Sequence, residues 1–203
     1  MPRFHRKTAP GVEFGEVRKK NNWRQSPCCY SVPQWIPAID RLRPGEGYRH
    51  LLMKRDVERF IELIPHWEDS ARDLDVIVLD RGRRGLHGWY DRGVIGICAW
   101  RTDMSYELCP WWYREHRELL NRLGVHVEDY GREPYIVHWT PDTARAYQLC
   151  HVLLHELGHH NDRMNTRSKR DNGPRGEDWA EQYAWAYEAM VLERYFEEFG
   201  LPE

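Results

Sequence analysis

The chain has 203 residues and a formal net charge of -2, with 41% hydrophobic and 31% charged residues. That composition belongs to a globular domain with a core of its own and excludes a disordered chain. No apolar run approaches the roughly 18 residues that a membrane-crossing helix needs, so no membrane partner is expected.

Residues 1–20 are basic and contain no apolar stretch of signal-peptide length. With no export signal in view, the five cysteines read as free thiols in a reducing cytoplasm. Ten Trp and eleven Tyr are scattered without a repeat and read as large core side chains.

In chain order, residues 1–45 come first. Arg3, Arg6, Lys7, Arg18, Lys19, Lys20 and Arg24 outnumber Glu13 and Glu16 between residues 1 and 24. Prolines recur to Pro44 without an apolar period, which predicts a basic, Pro-rich arm ahead of a domain over 46–203. No nucleic-acid motif accompanies the arm, so it reads as a solvated tail. Lys54 to Ile64 reads as a helix stopped by Pro65, and Asp75 to Asp80 as a strand. Arg81 to Gly93 reads as a Gly- and Arg-rich loop that lacks the phosphate-loop pattern. A second strand follows at Val94 to Trp100, then a helix from Trp111 to Leu123 closed by Gly124. Val125 to Tyr130 and Tyr135 to Trp139 are short strand candidates. Strands and helices do not alternate strictly, which predicts an α+β fold with a small mixed or antiparallel sheet packed on helices.

Thr140-Pro141-Asp142 has the chemistry of a helix start, and Ala144 to His160 reads as one helix. Inside it lies His155-Glu156-Leu157-Gly158-His159, the HExxH pattern. Four residues along a helix advance ~6 Å and turn ~400°, so both imidazoles lie on one face and can hold one zinc ion. Glu156, rotated ~100° from His155, is placed to act as general base on a zinc-bound water. His151, one turn earlier, and His160 read as packed or supporting side chains and not as ligands of that ion.

Two histidines leave the site one ligand short, and no His follows His160. The downstream carboxylates are Asp162, Asp171, Glu177, Asp178 and Glu181. Asp162 would have to fold back on its own helix, and Asp171 falls in the polar stretch Asn161 to Gly176. Residues 177–199 read as an acidic amphipathic helix ending at Gly200-Leu201-Pro202. Glu177 opens that helix and shares a face with Ala180, Glu181 and Ala184, whose alanines permit close packing. Glu177 is therefore the first choice for the third ligand and Glu181 the second, with the aspartates or a His from earlier in the chain as the remaining alternatives.

HELGH followed by Glu177-x-x-Ala180-x-x-Tyr183-Ala184 resembles the gluzincin zinc peptidases. The pattern is most similar to the compact ImmA/IrrE-type metallopeptidases and the anthrax lethal factor catalytic domain, over His151 to Tyr195. The resemblance implies Glu177 as third zinc ligand and Glu181 as a residue supporting the ligands from behind. It also implies an edge strand beside the active-site helix, for which Tyr135 to Trp139 is a candidate. No helix-turn-helix domain accompanies the likeness.

The expected function is zinc-dependent hydrolysis of peptide bonds, with one zinc per chain and a peptide or protein substrate laid along a strand edge. The alternative is a zinc-stabilised, non-catalytic binding module that engages a protein or nucleic-acid partner through its basic arm. Glu156 discriminates between them, because a structural zinc site needs no such acid and closes with four protein ligands.

Overall fold

The computed structural model describes residues 37–131, 134–166 and 175–202. It also describes the backbone of a short antiparallel hairpin, β1 (Val12–Glu13) with β2 (Glu16–Val17). The rest of the expected arm up to residue 36, and Asp171, lie outside the described residues.

β3 (Ala38–Arg41) and β4 (Tyr48–Arg49) precede α1 (Lys54–Ile61) and α2 (Trp67–Ser70). Then come β5 (Val76–Asp80), β6 (Gly88–Asp91), β7 (Val94–Cys98), β8 (Trp100–Arg101) and β9 (Ser105–Leu108). α3 (Pro110–Arg122) is followed by β10 (His126–Glu128) and β11 (Tyr135–His138). α4 (Pro141–Tyr147) runs through a π-helical stretch, Gln148–Leu153, into α5 (Leu154–Asn165), and α6 (Glu177–Phe199) ends the fold.

The fold is α+β. The principal sheet has the order β3-β5-β7-β6, with β3 parallel to β5, β5 parallel to β7, and β6 antiparallel to β7. β5 and β7 are buried at every position, which is why both read as unbroken apolar runs. Ile77, Leu79, Ile95 and Ile97 face a core shared with Phe60, Leu149, Leu153, Leu157 and Tyr195 from the helices. Val76, Val78 and Val94 cover the other face with Ala38, Leu42 and Trp89. A three-stranded antiparallel sheet, β10-β11-β9, stands apart from this one.

Four expectations are corrected. Ala38–Arg41, expected in the arm, is an outer strand of the principal sheet, paired in register from Ala38 with Val76 to Arg41 with Leu79. The stretch expected as a loop before Val94 contains β6. Its residues Gly88-Trp89-Tyr90-Asp91 carry no apolar run, and the strand is made by pairing with β7. The first helix ends at Ile61 rather than Ile64. The helix expected over Ala144 to His160 is longer, and the π-helical stretch interrupts it.

The start of α4 follows the capping chemistry of its sequence. Thr140 Oγ1 accepts from the Thr143 N–H at 3.1 Å, and Pro141 takes the first helical position. Within the π stretch, buried Gln148 donates from Nε2 to the Cys98 carbonyl at 2.7 Å, tying the helix to the end of β7. Among the described residues Cys98, Cys109 and Cys150 are free thiols, and no helix is long and apolar enough to cross a membrane.

Candidate metal centre

Helix α4, the π stretch and α5 carry a column of rings every fourth residue: Tyr147, His151, His155 and His159. Successive ring centroids are 5.1, 6.0 and 5.0 Å apart. Helix α6 runs antiparallel to it and presents Glu177, Glu181 and Glu188. Glu177 meets His159 and His155, Glu181 meets His155 and His151, and Glu188 meets His151. The helices can approach this closely because small residues face each other. A Cβ on Gly158 would lie 2.9 Å from Ala180 Cα and 3.0 Å from Ala180 O.

At the outer end of this ladder, His155 Nε2 stands 3.1 Å from one Glu177 oxygen and His159 Nε2 3.4 Å from the other. One donor atom from each of the three residues lies within 4.8 Å of the others. Donors around a tetrahedral zinc with bonds of ~2.0–2.1 Å stand about 3.3 Å apart, so this donor set fits a zinc ion.

Glu156 points toward β6, where a Cβ on Gly88 would come within 2.6 Å of its Oε1. Glycine at position 88 is what leaves room for that carboxyl. Glu156 is 6% exposed. Burial, aided by the Glu177 charge and opposed by His155, pushes its carboxyl up to about 8. Burial lowers His159. Burial alone would lower His155 too, but the Glu181 hydrogen bond and the neighbouring carboxylates raise it.

Behind His155 lies a network that spacing alone left unread. His155 Nδ1 donates to Glu181 Oε2 at 2.8 Å, an arrangement that orients a metal-binding imidazole and fixes which nitrogen faces the metal. Glu181 Oε1 reaches His116 Nε2 on α3 at 3.1 Å. Burial would raise the Glu181 carboxyl, but the nearness of the His116 and His151 rings and the hydrogen bond from His155 hold it well below the usual carboxylate range. His151 donates from Nδ1 to Glu188 Oε1 at 2.6 Å. His116 had no sequence signal, being a single His on an amphipathic helix. Glu188 did have one, since it lies seven residues, or two turns, beyond Glu181 on the same face.

The other candidates sit elsewhere. Asp162 is buried and accepts from the Arg175 N–H at 2.7 Å, which fastens the chain ahead of α6. His160 is fully buried between the Arg72 carbonyl, 2.8 Å from Nε2, and the Tyr90 hydroxyl, 3.2 Å from Nδ1.

His155, His159, Glu177 and Glu156 open into a cleft of about 620 Å³, walled on one side by residues 85–90 and on another by Trp111 and Trp112. The edge strand beside the HExxH helix is therefore β6. Tyr135–His138, the expected candidate, is the middle strand of the separate sheet.

Comparison of the chain with protein-family models, with curated proteins and with solved structures finds no match.

Proposed function

We propose that the protein is a zinc-dependent metallo-endopeptidase. One observation carries the reading. Consecutive helices bring two imidazoles and a carboxylate to zinc-like spacing, beside a buried acid and at the foot of a cleft with an outer strand in its wall.

In this reading His155, His159 and Glu177 hold the ion. Zinc so held would polarise a peptide carbonyl and lower the pKa of a water toward ~7. Glu156 takes a proton from the attacking water and delivers it to the leaving amine. The glycine at position 88 keeps that carboxyl free to swing between the two. A substrate in extended conformation adds to the outer edge of β6 through main-chain hydrogen bonds. The exposed Trp111 and Leu86 offer apolar surface to its side chains.

Glu156→Gln tests the proposal, because it preserves shape and removes the base. The variant should bind zinc as the parent does, while cleavage of a peptide library falls by at least about 10²-fold. Equal cleavage by parent and variant would remove Glu156 from the mechanism. No metal-dependent cleavage by the parent would favour the zinc-stabilised binding module instead.

A further inference from the structure

The cluster behind His155 has the makings of a second metal site. His116 Nδ1 lies 2.9 Å from the Trp112 carbonyl. A carbonyl can only accept, so a neutral His116 ring carries its hydrogen on Nδ1 and a bare lone pair on Nε2. His151 donates from Nδ1 to the Glu188 carboxylate and is likewise bare at Nε2. These two Nε2 atoms face each other at 3.1 Å. Glu181 Oε1 lies 3.1 Å from the first and 3.7 Å from the second. It is buried and accepts no well-formed hydrogen bond. Three electron pairs thus converge where both imidazoles are only 4% exposed. Buried acceptors facing one another repel unless something positive stands between them.

We propose that His116, His151 and Glu181 bind a second divalent transition-metal ion. The three separations bracket the roughly 3.3 Å between donors around tetrahedral zinc. Two imidazoles and a carboxylate suit zinc-like ions rather than calcium or magnesium. Both rings are already braced from behind, by the Trp112 carbonyl and by Glu188, as metal-binding histidines usually are. Glu181 uses Oε1 toward this cluster and Oε2 on His155 Nδ1. The second ion therefore fixes Glu181, and through it the attitude of His155. It stands on the far side of the His155 ring from Glu177, as a positioning element and not as a partner in the reaction.

Metal counting on the full chain tests this, with zinc(II) alone as the probe after removal of bound metal by a chelator. The parent should take up two ions, and His116→Gln, His151→Gln and His159→Gln one each. Crystals of the parent grown with zinc should show an anomalous peak between His116 Nε2 and His151 Nε2. That peak decides the matter by itself if a variant fails to fold. A single ion in the parent, kept in His116→Gln and lost in His159→Gln, would overturn the second site and leave the peptidase reading standing. So would a zinc-loaded crystal with no peak between those rings, the gap then being closed by an imidazolium proton. Neither measurement reads peptide cleavage, so failure of the peptidase reading would leave this count unchanged.

Discussion

The two clusters on the helix pair share a donor set but not an environment. In the outer one, the Glu177 side chain is 81% exposed and His159 Nδ1 is buried without a hydrogen-bond partner. In the inner one, the Glu181 side chain is 17% exposed, and the far nitrogens of His116 and His151 are both held by acceptors. The outer cluster has room for water and a substrate beside its donors. The inner one has rigidity and almost no access. Identical ligands can thus suit chemistry in one place and bracing in the other, and burial together with hydrogen bonding from behind makes the difference.

Gly158→Val should abolish the comparison altogether. Its Cβ would collide with the α6 backbone at Ala180, which cannot swing aside as a side chain can. Overpacking of this kind costs typically 1–3 kcal/mol, and the helices can escape it only by separating. Thermal unfolding should show the loss, and zinc uptake should fall at both clusters together.

Glu181→Gln should come next in size. It keeps the shape but removes the charge that touches both clusters. Loss of a carboxylate behind a metal-binding His typically costs 10–100-fold in affinity or activity. Zinc titration should show weakening at both clusters. Weakening at only one would mean that Glu181 does not couple them.

Gly88→Ala should act on the outer cluster alone. The added methyl meets the end of the Glu156 side chain and Val152 Cγ1, each at 2.6 Å. Glu156 can move, so zinc affinity should hold while turnover falls by about tenfold, within the usual reach of general acid-base help. Steady-state kinetics beside zinc titration would separate these effects.

The smallest effect concerns a residue remote from both clusters. Burial lowers His50 from 6.5 to about 4, with Nε2 donating to the Leu42 carbonyl at 2.9 Å. Its folded pKa is depressed, so its contribution to stability is present above about 6.5 and is lost as pH falls toward about 4. In metal-free protein, His50→Gln should flatten the fall in melting temperature over that window. An unchanged slope would assign the acid loss to His87, which burial lowers to about 4, and to His159 and His160, which burial also lowers.

The outer cluster was legible because its information is local. His155 and His159 are fixed by helical spacing, and Glu177 by its place at the start of the next apolar-faced helix. The strands β5 and β7 were legible because burial on both faces demands unbroken apolar runs. β3 and β6 were not. Each is a short outer strand of four residues made by its neighbour's hydrogen bonds, and neither Ala38-Ile39-Asp40-Arg41 nor Gly88-Trp89-Tyr90-Asp91 has a pattern of its own. His116 was hidden for a related reason. It joins the cluster through the tertiary placement of α3, which no spacing along the chain encodes. The glycine at 88 carried no signal either, because the neighbour that requires it lies 68 residues away, at Glu156.

The π-helical stretch Gln148–Leu153 sets a phase. Each of its turns takes up one residue more than an α-helix would, so the two halves of the long helix are offset in rotation. The front half keeps time with the sheet, through Gln148 on the Cys98 carbonyl. The back half keeps time with α6, through Gly158 on Ala180. A continuous α-helix would have to satisfy both neighbours with one angle. The offset lets sheet and ladder each dictate their own, so the position of the cleft wall and the aim of the imidazoles are adjustable independently within a single helix.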